Sequence, residues 1–275
     1  DIANKNIEKN STLVGEVKSV IVDEEETVAD MANRYRTGFQ DLLIANPDSH
    51  HWNPKANSKY IIPSMYILPQ ENYNGIILNL AELRLYFYIS GEDLYEPTRV
   101  ITFPVGIGRL DWKTPLGETF IKSKVKNPSW YPPKSIILEH EERGEILPRE
   151  VKSGPDNPLG NFVLKLNVDG GYLLHGTNKK HGIGMMVSHG CIRLRNKDIE
   201  TIYHNTLLGT KVKIINEPIK IGKYKDFLYM EVHAFGIEDY ISHPLKIENG
   251  FGLASDLPGI GFEFDFDKLK QYKTN

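Results

Sequence analysis

The chain of 275 residues contains one cysteine, Cys191. No internal disulfide is possible, so the fold is expected to be held by packing and hydrogen bonds alone. Long apolar runs are missing as well. No stretch approaches the ~20 residues that a bilayer-spanning helix requires. Runs of lysine and arginine are absent, and the formal net charge is −3, which gives no reason to expect a nucleic-acid partner. The sequence starts at Asp1 without an apolar leader, as expected of a mature or trimmed form. Hydrophobic residues at 40% and charged residues at 25% describe an ordinary globular protein. The length allows one large domain and a small one.

Residues 1–14 are polar and are expected to form a flexible N-terminus. A compact unit follows over 15–66. Val17–Val22 reads as a strand, and Thr27 can cap a helix whose Ala29, Met31, Ala32 and Tyr35 recur at helical spacing. Phe39–Ala45 makes a second helix that Asn46-Pro47 ends, and Tyr60–Pro63 a second strand. The order is βααβ. A linker, Ser64–Asn74, leads into a larger unit over 74–216. Its strands are expected at Ile76–Leu80, Leu83–Ile89, Arg99–Val105, Glu118–Val125, Phe162–Asn167, Tyr172–His175 and Thr210–Ile215, with one short helix at Asn196–His204 capped by Asn196. The class is mainly β: a β-sandwich or barrel-like domain with few short helices, preceded by a small α+β unit. Residues 217–275 form a C-terminal extension with a strand at Phe227–His233 and an alternation of Phe262, Phe264 and Phe266 with acids. It is expected to pack on the larger domain.

The chemistry concentrates around the one thiol. Cys191 lies in Ser188-His189-Gly190-Cys191-Ile192-Arg193-Leu194, and His175 stands sixteen residues upstream in Leu174-His175-Gly176-Thr177-Asn178. A thiol, an imidazole and adjacent glycines are the parts of an acyl-transfer site: nucleophile, base, and backbone N–H groups for an oxyanion. Arg193 is suited to a substrate carboxylate, or to an ion pair within the domain. His189 either tunes the site or holds the turn. Zinc ligation by His175, His181, His189 and Cys191 is the competing arrangement, but its spacing matches the usual ligand patterns poorly. His181 is expected on a loop, with Lys179 and Lys180 as solvated charge. No metal and no cofactor are expected.

Two stretches resemble known families. Thr27-Val28-Ala29-Asp30-Met31-Ala32, Leu42-Leu43-Ile44-Ala45-Asn46-Pro47 and Ile61-Ile62-Pro63 resemble a LysM module, although Glu25-Glu26 stands where that family has Gly-Asp and Ala56-Asn57 where it has Pro-Gly. The resemblance implies binding to N-acetylglucosamine-containing glycans. Docking without sugar binding is the alternative. His175-Gly176-Thr177, Gly182-Ile183-Gly184, Val187 through Leu194 and Asn196-Lys197-Asp198-Ile199 resemble the signature of the YkuD-type L,D-transpeptidases, nearest to the ErfK/YbiS/YcfS/YnhG group of Gram-negative bacteria. The likeness extends to Phe103 through Gly108, Thr114-Pro115-Leu116-Gly117, Pro128-Ser129-Trp130 and Gly154 through Gly160.

That second resemblance implies a peptidoglycan enzyme of the periplasm, monomeric, without cofactor. Cys191 would attack the third residue of a tetrapeptide stem, release D-alanine and carry a thioester. His175 would take the thiol proton, and His189 and Ser188 would shape the pocket. Gly190 and Cys191 N–H groups would bind the oxyanion, and Arg193 would orient substrate beside Gly176 and Thr177. The acceptor amine would belong to another stem or to a lysine of an outer-membrane protein or lipoprotein. Carbapenems typically acylate such enzymes. Water as acceptor, giving an L,D-carboxypeptidase or hydrolase, and a wall-binding protein with an inactive enzyme domain are the alternatives.

Overall fold

The structure, a computed structural model, describes residues 4–6, 12–69, 74–90, 97–109, 112, 114–179, 181–225, 227–233, 246–248 and 251–253. The N-terminal unit runs β1 (Asn4–Asn6), β2 (Leu13–Ile21), α1 (Val28–Arg34), α2 (Phe39–Ala45) and β3 (Lys59–Ile67). The larger unit continues with β4 (Gly75–Asn79), β5 (Arg84–Ser90), β6 (Pro97–Pro104), β7 (Ile107–Gly108), β8 (Gly117–Lys126), α3 (Lys134–Glu142), β9 (Phe162–Leu166) and β10 (Leu173–His175). It ends with β11 (Met186–Ser188), β12 (Ile192–Arg193), α4 (Asn196–Asn205) and β13 (Lys211–Ile215). The extension adds β14 (Ile219–Tyr224), β15 (Phe227–Val232), β16 (Lys246–Glu248) and β17 (Phe251–Leu253).

Local signals set the N-terminal unit. The Thr27 hydroxyl accepts from the Asp30 N–H at 3.1 Å and the Asp30 carboxylate accepts from the Thr27 N–H at 3.2 Å, a reciprocal capping box. Val28, Met31, Ala32, Phe39 and Leu42 then pack with Val22, Tyr60 and Ile62 in one small core. Glu25 and Asn57 hold φ of 60° and 61°, the left-handed region that favours glycine. These are the two positions where the LysM pattern has glycine. The left-handed region costs an L-residue roughly 1–2 kcal/mol, and glycine gives back about 0.5–1 kcal/mol in chain entropy. Glu25→Gly is therefore expected to stabilise the fold by on the order of 0.5–1 kcal/mol in urea melts. An unchanged or earlier transition would contradict the strain.

The boundaries differ from expectation at both ends of this unit. β2 begins at Leu13 and β1 pairs with β6, so the stretch expected to be flexible carries two strand segments. Val14 is buried with Tyr66 and Leu68, which fixes it. The expected linker is strand as far as Ile67, because β2 and β3 pair in register from Leu13–Ile67 to Ile21–Lys59. Residues 7–11 and 70–73 lie outside the described residues.

The larger unit is built on a nine-stranded sheet in the order β1-β6-β5-β4-β13-β8-β9-β10-β12. Every residue of β4 is buried, because the sheet is covered on both faces there. Ile76, Leu78, Leu85 and Phe87 enter the main core with Leu164, Leu174, Ile192 and Ile199. Ile77, Tyr86, Tyr88 and Val100 face the other way and pack on Val14, Tyr66 and Leu68 of the N-terminal hairpin. This second face of the sheet is thus covered by the preceding unit.

The described part of the extension contacts both units. Strands β14 and β15 form a hairpin that contacts β2 and β3 as well. Buried Lys220 donates to the Ile67 carbonyl at 2.5 Å and to Glu82 at 2.7 Å, and the Ile67 N–H donates to Glu231 at 2.7 Å. The alternating Phe262, Phe264 and Phe266 lie outside the described residues.

Candidate active site

Two short strands place the site. β10 pairs in parallel with β12, with Leu174 opposite Ile192 and His175 opposite Arg193. Leu174 and Ile192 are fully buried in the main core. Side chains alternate along a strand, so His175 and Arg193 stand together on the opposite face. Cys191 lies one residue before β12 and two before Arg193, which brings its thiol beside the Leu173 backbone and the guanidinium.

His175 is 4% exposed. Its Nδ1 lies 2.6 Å from the Gly176 carbonyl oxygen, which can only accept, so Nδ1 carries the proton and Nε2 is left as the basic nitrogen. Burial first, then the neighbouring Arg193, pushes the imidazole down to about 4. Burial pushes the Cys191 thiol up, with the Leu173 backbone and Arg193 acting the other way. The resting pair is a thiol and a neutral imidazole, not a thiolate and an imidazolium. Among the described residues no hydrogen bond joins them, so proton transfer awaits closer approach as substrate binds.

The turn from Ser188 to Cys191 is fixed by its carbonyls. Ser188 Oγ donates to the Cys191 oxygen at 2.5 Å, and Thr114 Oγ1 donates to the Gly190 oxygen at 3.0 Å. Ser188 is buried, and its hydroxyl holds this turn. Gly190 sits at φ 95°, and a Cβ there would meet the Tyr172 ring at 3.0 Å. Among the described residues the Gly190 and Cys191 N–H groups have no acceptor.

Gly176 and Thr177 are held by a residue that sequence reasoning assigned elsewhere. Asn196 was expected to cap α4. The cap position belongs to Arg195, and the Asn196 amide instead accepts from Thr177 N–H at 3.0 Å and donates to Thr177 O at 3.0 Å. A Cβ at Gly176 would collide with Asn196 Oδ1. Arg193 is half-buried and has no acidic partner among the described residues, which leaves its fork available to a ligand carboxylate.

His189 and His181 do not converge on the thiol. His189 Nε2 donates to Glu139 Oε2 at 2.7 Å, and its ring meets the edge of Trp112 at 5.3 Å. His181 is exposed on the loop before β11. The group with metal-ligand geometry among the described residues is Glu82, Glu231 and His233, far from Cys191 in the chain, and the Lys220 ammonium already lies 2.7 Å from Glu82 and 3.1 Å from Glu231.

The N-terminal unit reaches this region. Arg195, two residues after Arg193, donates to Asn33 Oδ1 at 2.9 Å and to the Ala32 and Thr37 carbonyls at 2.6 and 2.9 Å. Between the units lies a cleft of about 360 Å³ lined by Phe39, Trp52 and Asn53 on one side and Gly182, Ile183 and Met185 on the other.

A family model describing the YkuD L,D-transpeptidase catalytic domain matches residues 73–214. The chain is 44% identical to Probable L,D-transpeptidase YcfS of Escherichia coli (strain K12) over 216 residues, 77% of this chain and 66% of that one, just under two thirds of its length. It is 38% identical to Probable L,D-transpeptidase YbiS of the same strain over 227 residues, 81% of this chain and 72% of that one. Probable L,D-transpeptidase ErfK/SrfK of that strain is 38% identical over 229 residues, covering 82% and 72%. The matched span holds eight of the nine strands of the large sheet, all but β1, and the whole Cys191 turn. The chain belongs to the YkuD family of L,D-transpeptidases.

Proposed function

We propose that the protein is a peptidoglycan L,D-transpeptidase of the Gram-negative periplasm, with Cys191 as nucleophile and His175 as its base. The observation that carries this is the pairing of β10 with β12, which puts a buried, Nδ1-protonated imidazole and a free guanidinium on the face of the only thiol. As a stem peptide seats, its carboxylate engages Arg193 and its third-residue carbonyl meets the thiol. His175 Nε2 takes the thiol proton as the S–C bond forms. The oxyanion accepts from the Gly190 and Cys191 N–H groups. The protonated imidazole then gives its proton to the departing D-alanine nitrogen, and a thioester remains. An acceptor amine attacks that thioester, loses its proton to His175, and the thiol is restored.

The acceptor is a stem-peptide amine or a lysine of an outer-membrane protein or lipoprotein. Incubation with tetrapeptide muropeptides, with and without a second amine, tests this by mass. Cross-linked or amine-capped product is expected. Tripeptide alone, with the amine ignored, would assign the enzyme to hydrolysis.

The N-terminal unit is proposed to hold the glycan strand as a LysM-like module, with Trp52 as the platform for a sugar ring. Trp52 is 60% exposed although its ring meets that of Phe39 at 5.5 Å in a tilted contact, so much of the indole surface is accessible to a ligand. Trp52→Ala is expected to weaken co-sedimentation with isolated sacculi about tenfold. Undiminished sedimentation would remove the glycan role from this cleft.

A further inference from the structure

We propose that Glu139 is a positioning residue for the acyl-transfer step, acting through His189 and Arg109 on the turn that carries Cys191. This rests on the transpeptidase reading above. Glu139 lies on α3, a helix that buries none of its residues. Apolar packing therefore does little to hold α3 in place, and its polar contacts carry that task. Its neighbours Glu141 and Glu142 are exposed, whereas the Glu139 side chain is 16% exposed.

The carboxylate is saturated with donors. Arg109 Nη1 and Nη2 donate to its two oxygens at 2.9 and 2.7 Å, a bidentate fork. His189 Nε2 donates at 2.7 Å, and Arg143 Nη2 adds a contact from one turn along the helix. These hydrogen bonds, Arg109's first and His189's next, hold the Glu139 carboxyl down at about 2. It is anionic throughout the working range of pH.

One partner belongs to the reactive turn and the other adjoins it. His189 is two residues before Cys191. Arg109 follows β7, which pairs with β11, and its own N–H donates to the Ser188 carbonyl at 3.0 Å. One carboxylate therefore ties the side chains of residues on either flank of the turn to a single point. It also turns the His189 ring toward α3, which leaves proton transfer at sulfur to His175. Loosening that point lets the Gly190 and Cys191 N–H groups drift, and a misplacement of about 1 Å at such a site can cost on the order of 100-fold in rate.

The test measures single-turnover acylation of Cys191 by intact mass with two donors, a tetrapeptide muropeptide and p-nitrophenyl acetate, in the full chain. Glu139→Ala is expected to slow both reactions by 10- to 100-fold while the KM for the muropeptide stays within about twofold. Glu139→Gln, which keeps an acceptor for His189, should recover part of the loss. In a His189→Ala background the further change Glu139→Ala should cost less than it does alone, because part of its effect passes through His189 and only the Arg109 route is left. Unchanged rates, additive losses, or a loss confined to the muropeptide would each overturn the proposal, the last by making Glu139 a substrate contact. Thermal melts accompany each variant, and Glu139→Gln carries the test if the alanine variant is unfolded. If the wild-type protein reacts with the ester but not with the muropeptide, the peptidoglycan reading fails while the role of Glu139 is still read from the ester.

Discussion

The Cys191→Ala protein is expected to form no covalent adduct with a tetrapeptide stem, and its turnover should fall by roughly 10⁴-fold or more. The chain has no second thiol to substitute. The Ser188 hydroxyl is buried and committed to the Cys191 carbonyl, so it cannot replace the sulfur. Cys191→Ser should be nearly as inactive. A serine hydroxyl beside an imidazole whose pKa lies near 4 meets a weak base, whereas a thiol needs much less help to lose its proton. The fold is expected to survive both changes, because Cys191 is only half-buried and its backbone carbonyl makes the structural contact. Intact-mass spectrometry after incubation with the stem, beside a thermal melt, reads both points. An adduct on the alanine variant would move the nucleophile elsewhere.

The second large effect is in pH. His175 has its folded pKa near 4 against 6.5 unperturbed, because burial and Arg193 disfavour the imidazolium. Between those values the unfolded chain binds the extra proton and the folded chain does not. Stability is therefore complete above pH 6.5 and is lost as pH falls from there toward 4, by on the order of 3 kcal/mol. The ionised Glu139 and Glu231, both held at about 2, lose their contribution as pH falls from about 4.5 toward 2, below most of the His175 range. Urea melts at pH 7 and pH 4.5 should show a larger loss for the wild-type protein than for His175→Asn. In catalysis the same depression keeps the base unprotonated well into acid, and the acid limb of acylation should fall near pH 4. His175→Asn should lose roughly 10²- to 10⁴-fold in acylation at pH 7. A limb centred on 6.5, with equal acid sensitivity of the two proteins, would contradict the buried neutral imidazole.

What could be read from the sequence was local. The capping box at Thr27 and Asp30 spans three residues, and the Asn46-Pro47 stop lies at the end of α2, so the βααβ unit was legible. The Cys191 and His175 motifs were legible for the same reason. What failed was non-local. Nothing in α3 predicts an amphipathic helix, since its apolar residues Ile136, Ile137 and Leu138 are consecutive and set no helical period; its key contact reaches from Glu139 to His189, fifty residues away. Nothing in the sequence around Lys220 signals that it is buried, and it meets Glu82, 138 residues earlier. Asn196 sits where a cap residue is expected, and its amide is diverted by a loop nineteen residues upstream. Single-cysteine composition and the neighbouring histidine motifs pointed to the proposed nucleophile and base; the contacts around them required the sheet.

The central claim is that Cys191 carries the acyl group of a stem peptide cleaved before D-alanine. It is tested most directly by quenching the wild-type protein with a tetrapeptide muropeptide and no acceptor amine, then mapping the adduct by tandem mass spectrometry. The account predicts a mass gain equal to the stem without its terminal D-alanine, on the peptide containing Cys191, with free D-alanine released in equal amount. A gain that retains D-alanine, or one located on any other residue, would contradict it.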